Sequence, residues 1–103
     1  MSVEMMNQAT VLITAGGTLE PIDGVRQIKN TSSGKLGASI ANDLKRTYPN
    51  IRIIYMANRF AVQPKIDCEW IETKSVLDVQ EKMKEILTTR KIDIVVHSMA
   101  IAD

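Results

Sequence analysis

The sequence lacks the features that would carry it out of a reducing compartment or onto a polyanion. Among 103 residues there is one cysteine, Cys68, so no internal disulfide can form. No run of histidine, cysteine or carboxylate residues has metal-ligand spacing. The N-terminus has no long apolar core of the secretory kind, and the longest apolar runs are a few residues, far below a membrane span. Thirteen basic and twelve acidic residues leave a net charge of +1, so no global field selects nucleic acid or an anionic membrane, and any anion site must be local. Internal repeats and low-complexity tracts are also missing. The expectation is a cytoplasmic protein with neither nucleic acid nor membrane as partner.

What is there describes a folded α/β chain. A composition of 45% hydrophobic and 24% charged residues is too apolar for disorder, and the length allows one small domain. Thr10 to Ala15 (TVLITA) is a continuous apolar run halted by Gly16-Gly17, the pattern of a strand buried on both faces. Thr18 to Ser32 shows no clean period and reads as a long loop, with Pro21, Asp23, Gly24 and Asn30 scattered along it. Ser32-Ser33-Gly34 opens a helix to about Tyr48, with Leu36, Ile40, Ala41 and Leu44 on one face and Pro49-Asn50 stopping it.

Strands are expected at Ile51 to Met56, at Asp67 to Ile71 as an edge, and at Ile92 to His97. Between the last two, Ser75 caps a helix ending near Thr89. Right-handed βαβ connections then give a Rossmann-like parallel sheet with flanking helices and the first strand central. A doubly wound sheet continues with more βα units, whereas this sequence stops just past its fourth strand. Residues 1–103 are therefore expected to be the N-terminal part of a single nucleotide-binding α/β domain.

In open α/β sheets, ligands sit outside the carboxyl ends of the strands. Three segments end there: Gly16-Gly17-Thr18, Asn30 to Lys35, and Ser98 to Asp103. The Gly16-Gly17 pair serves either a plain turn or close approach of backbone to a ligand. Ser32-Ser33-Gly34-Lys35 supplies hydroxyls and free N–H groups at a helix start, an anion site, although one serine as a simple cap is the bland alternative. Gly37 permits either close helix–strand packing or ligand approach. Gly34-Lys35 is followed by Leu36, so the P-loop magnesium ligand is missing, and the second strand ends in Ala57-Asn58-Arg59 rather than a ribose-binding acid. His97 and Cys68 read as packed or satisfied residues, Trp70 as core or interface, and the Lys82-Lys84-Glu85 charges as a solvated helix face.

Taken in order, ITAGGTLEPIDGVRQIKNTSSGKLG (Ile13 to Gly37) and HSMAIAD (His97 to Asp103) resemble the two amino-terminal motifs of phosphopantothenoylcysteine synthetase, the phosphopantothenate–cysteine ligase of coenzyme A biosynthesis. The start at Met1, a few residues before the first strand, suits the stand-alone bacterial form. The resemblance implies a ligase that activates the carboxylate of 4′-phosphopantothenate with CTP or ATP and Mg²⁺, then couples it to the amine of cysteine, as a homodimer. By the same resemblance Asn30 binds the pantothenate portion and stabilises the acyl intermediate, and Arg26 is a functionally important cation whose alternative is a structural salt bridge. Gly16, Gly17, Ser32, Ser33, Gly34 and Gly37 match the nucleotide-lining segments, and Ala100 and Asp103 a substrate-facing segment. At Lys35 the family has arginine or lysine. The family's lysine-containing loop lies beyond the second motif, so these 103 residues alone are expected to be inactive. A Rossmann-like module that senses a nucleotide or NADP is the competing reading, with Arg59 the residue that keeps NADP open.

Overall fold

A computed structural model describes residues 2–21, 27–29 and 33–100. The elements run α1 (Val3–Gln8), β1 (Thr10–Thr14), β2 (Leu19–Pro21), β3 (Gln27–Lys29), α2 (Lys35–Thr47), β4 (Arg52–Ala57), β5 (Glu69–Glu72), α3 (Val76–Thr89) and β6 (Ile94–His97). The apolar run at the start of the chain becomes β1, in which every residue is buried. It can be dry on both faces because it lies inside a four-stranded sheet of order β5-β4-β1-β6. All three pairings are parallel, and Leu12 sits opposite Ile54 on one side and Val95 on the other.

Alternation along β1 and β4 divides the core into two layers. Val11, Ile13, Ile53 and Tyr55 face Ala38 and Ala41 of α2, and Leu12, Ile54 and Met56 face Val79 and Ile86 of α3. One helix therefore covers each face, the layering that parallel strands with crossover helices require. At the edge, β5 shows only half-buried residues after Glu69, and Trp70 packs its ring against Tyr55 at 5.2 Å between centroids. Trp70 is thus a core-boundary residue.

Four features differ from the sequence-based expectation. The stretch expected to be one loop from Thr18 to Ser32 contains an antiparallel pair, β2 with β3, in which Leu19 lies opposite Lys29. Three residues per strand are too few to express a two-residue period, so nothing in the side-chain pattern announces them. The short α1 was also not anticipated; Ser2 starts it by accepting a hydrogen bond from the Met5 N–H. Helix α2 begins at Lys35 rather than at Ser32, because Gly34, at φ 87°, leaves helical geometry. Finally β5 covers Glu69–Glu72, one to two residues later than expected, and β6 begins at Ile94 rather than Ile92. Among the described residues no helix is long and apolar enough to cross a membrane.

Candidate nucleotide-binding site

The carboxyl end of β1 is held from both sides. Beyond Thr14 the Ala15 N–H donates to the Met56 carbonyl at 2.9 Å, and the chain then turns at Gly16 with φ 77°. That positive φ is the reason for glycine, since a side chain rarely adopts it. The Gly16 carbonyl accepts from the Ala100 N–H at 2.8 Å, and Gly17 pairs in parallel with Ala100. On the opposite side the Gly17 carbonyl accepts from Asn58 Nδ2 at 2.7 Å. Beside the turn, the Ser98 N–H and hydroxyl both donate to the Thr14 carbonyl, at 3.0 and 2.6 Å. His97 is exposed but satisfied, its Nδ1 hydrogen-bonded to the Thr14 hydroxyl at 2.6 Å.

The start of α2 arrives at the same place. A Cβ built on Gly34 would lie 3.1 Å from the Ala61 Cβ and 3.5 Å from the Gly16 backbone nitrogen, so the two positive-φ glycines are neighbours. Gly34 is the N-cap and provides no side-chain hydrogen bond, while the Ser33 hydroxyl accepts from the Lys35 N–H, at 3.3 Å. Beyond Lys35, the first-turn N–H groups of α2 therefore have no N-cap side-chain oxygen, and with the helix dipole behind them they make an end suited to an anion. Gly37 resolves toward packing: a Cβ there would collide with the Cβ of Ala15 and reach 3.0 Å from the Ser98 hydroxyl. Its missing side chain lets α2 lie directly on the end of β1.

Behind both tips lies the loop after β4. Asn58 is buried, and its Oδ1 accepts from the Phe60 N–H at 2.7 Å while its Nδ2 holds Gly17. The Val62 N–H donates to the Ser33 carbonyl at 2.9 Å. The hydroxyl of Tyr55, fully buried, is placed to donate to the carbonyls of Val62 at 2.9 Å and Gly34 at 3.2 Å. Burial first, and the Cys68 sulfur second, push the Tyr55 phenol up to about 12, so it acts as a neutral donor. The Cys68 thiol is itself pushed up by burial and then by Asp67, against a smaller opposing effect of Lys45.

Of the residues selected from sequence, Gly16, Gly17, Ser33, Gly34, Gly37 and Ala100 thus meet at one end of the sheet. Arg26, Asn30, Ser32 and Asp103 lie outside the described residues. Arg59 pairs with Glu72 at 3.2 Å and lines a separate cleft of about 200 Å³ with Leu19, Phe60, Glu72, Thr73 and Lys74, none of them selected from sequence. Tyr55 was missed, because an apolar strand pattern hides a hydroxyl. Asn58 was noticed only as the absence of a ribose-binding acid, although an asparagine at a strand end is a recognisable turn former. Among the described residues no group of three or more His, Cys, Asp or Glu side chains could hold a metal ion.

Comparison with known proteins bears on this geometry. Residues 6–103 match the family model described as the DNA/pantothenate metabolism flavoprotein C-terminal domain. The chain is 33% identical over 93 residues to the coenzyme A biosynthesis bifunctional protein CoaBC of Thermococcus kodakarensis, and 35% identical over 94 residues to that of Bacillus subtilis. Each match covers 90% of this chain and 22% of the relative. Among solved structures, the DNA/pantothenate metabolism flavoprotein of Streptococcus pneumoniae superposes with a TM-score of 0.82 at 30% identity, over 92% of this chain and 41% of that one. The chain therefore spans about a fifth of these curated relatives and about two fifths of the solved neighbour. The family to which Ile13–Gly37 and His97–Asp103 pointed is the one matched, and with 98 of its residues inside the model the chain belongs to the DNA/pantothenate metabolism flavoprotein C-terminal domain family.

Proposed function

We propose that this chain forms the nucleotide-side portion of a phosphopantothenate–cysteine ligase. The observation that carries the reading is the convergence of the Gly16-Gly17 turn, the side-chain-uncapped start of α2 and Ala100 at one sheet end. Its family context supports it, since the relatives are coenzyme A biosynthesis proteins.

In this reading the triphosphate of CTP or ATP lies against the N–H groups of the two glycine tips and the first turn of α2. A carboxylate oxygen of 4′-phosphopantothenate attacks the α-phosphorus, pyrophosphate leaves, and a mixed anhydride results. The cysteine amine then attacks the acyl carbon, the nucleoside monophosphate departs, and the nitrogen loses a proton to give the amide. Activation is needed because a free carboxylate delocalises its charge and has no leaving group. Fixed donors lower the barrier by stabilising oxygen charge as it develops. Asn30 takes that role at the acyl carbon, with Arg26 as a functional cation, Ser32 and Ser33 serving the phosphates, and Ala100 and Asp103 serving the substrate. Mg²⁺, when bound with the triphosphate, would neutralise phosphate charge. The working protein is a cytoplasmic homodimer, and residues 1–103 alone give no product.

The test is an assay of the full-length protein with 4′-phosphopantothenate, cysteine, Mg²⁺ and either nucleotide. Pyrophosphate release and amide formation are expected together, with Asn30→Ala lowering kcat/KM by about a hundredfold or more, the scale of one lost oxyanion donor. Tight NADP binding without any triphosphate-dependent turnover would replace the ligase with a dinucleotide sensor.

A further inference from the structure

We infer that His97 is a nucleotide-contacting residue, its ring locked by Thr14 in the tautomer that offers the Nε2 proton to an oxygen of the bound nucleotide. The inference rests on the ligase reading above. From β1 the chain adds β4 and then β5 on one side, and crosses back to add β6 on the other. Helix α2, which follows β1, packs on one face of the sheet, and α3, which leads into β6, packs on the other. Strand order therefore reverses between β1 and β6, and open α/β sheets bind ligands outside the carboxyl ends at such a reversal. His97 is the last residue of β6, in register with Thr14 of β1, two residues before the Gly16 turn. Paired strands lie about 4.8 Å apart, so the His97 backbone is one strand spacing from the chain that enters the glycine tip.

Hydrogen-bond accounting fixes the tautomer. Nδ1 meets the Thr14 hydroxyl at 2.6 Å, and among the described residues this is the one hydrogen bond of either side chain. Thr14 is fully buried, so its hydroxyl has no water to turn to. A hydroxyl carries a single proton. With the ring proton on Nδ1, the hydroxyl would accept and its own proton would be left without an acceptor, the costly case of a buried bond unmade. With the hydroxyl donating to Nδ1 both groups are satisfied, and the proton of the neutral imidazole sits on Nε2. Nε2 lies across the ring from Nδ1, His97 is exposed, and no described residue accepts from Nε2. The Nε2–H is thus a donor with a fixed direction at the strand-order reversal. Such preorganised donors lose no reorganisation energy on binding. The alternative role is a surface histidine that closes the bond of one hydroxyl and touches no nucleotide.

The experiment compares His97→Ala, His97→Gln and Thr14→Val with wild type in the full-length protein, measuring KM for CTP or ATP and for cysteine separately. His97→Ala should raise the nucleotide KM about tenfold, the scale of a lost hydrogen bond to a charged acceptor, while the cysteine KM stays within about twofold. The glutamine amide places an N–H close to the position of Nε2–H, so His97→Gln should recover most of that loss. A purely structural defect lowers kcat with the folded fraction and leaves both KM values alone. Nitrogen NMR of the neutral ring, assigned by the signals lost in His97→Gln, should show the proton on Nε2 in wild type and a mixture of tautomers in Thr14→Val. A wild-type ring protonated on Nδ1 overturns the proposal, and that measurement decides the matter even if His97→Ala does not fold. A nucleotide KM within about twofold of wild type in His97→Ala overturns the nucleotide contact alone. Absence of nucleotide-dependent turnover in wild type overturns the ligase reading and the contact with it.

Discussion

Single residues here are constrained by what surrounds them more than by their own propensities. Tyr55 is the clearest case, because its phenol is pushed from an ordinary 10.0 to about 12, chiefly by burial. Below pH 10 the folded and unfolded chains both hold the proton, and the stabilisation is fully present. As pH rises toward 12 the unfolded chain ionises first, so stability falls by about 1.4 kcal/mol per pH unit until the folded phenol also titrates. Urea denaturation of wild type and Tyr55→Phe across this range should show the extra slope in wild type only; parallel curves would mean that the phenol is not desolvated. Gly37 makes the same point sterically. Alanine there gains up to about 1 kcal/mol of helix propensity, but its methyl enters space held by Ala15 and Ser98. Overpacking of about 1–3 kcal/mol outweighs that gain, so Gly37→Ala should melt at a lower temperature. An unchanged melt would show that α2 shifts freely on β1.

Elements divide into those with local start signals and those without. Helix α3 has its signal: the Ser75 hydroxyl accepts from the Asp78 N–H at 3.1 Å, and the Asp78 carboxylate accepts from the Lys74 N–H at 2.8 Å. Ser75→Ala should cost about 1 kcal/mol of stability, read from the shift in urea midpoint. This start was legible because a serine three residues before an aspartate, ahead of an apolar stripe, is a local pattern. The α2 start was legible only as a region. Two serines suggested a capped helix at Ser32, whereas the helix begins after a positive-φ glycine whose conformation depends on the distant 58–62 loop. The β2–β3 pair left no trace in sequence for a related reason, since three residues per strand carry no period to read.

At the level of the whole molecule, burial is graded from the middle of the sheet outward. β1 is wholly buried and β4 nearly so, while β5 is half-buried and β6 alternates between exposed and half-buried residues. Amide hydrogen exchange should follow that order, slowest in β1 and β4 and faster in β5 and β6, because edge strands open without disrupting the core. Uniform protection across the four strands would contradict this gradient. The same gradient explains why the central strand and one edge were accessible beforehand. A run dry on both faces must be central, and the strand with weaker apolar content, Glu69–Glu72, belongs at an edge.

The sequence by itself determined what depends on nearest neighbours along the chain: the four strands of the parallel sheet and the two helices that cover it, which strand is interior, where α3 is capped, and through two motifs the family. Only the tertiary structure decided which backbone groups meet across the fold. The Asn58–Gly17 bond joins residues 41 positions apart, and the Ser98–Thr14 bond joins residues 84 apart. Apolar periodicity reports how much water a residue must lose and is therefore written locally. The partner of a buried hydroxyl or amide is set by sheet register and helix placement, which exist only after the chain has folded.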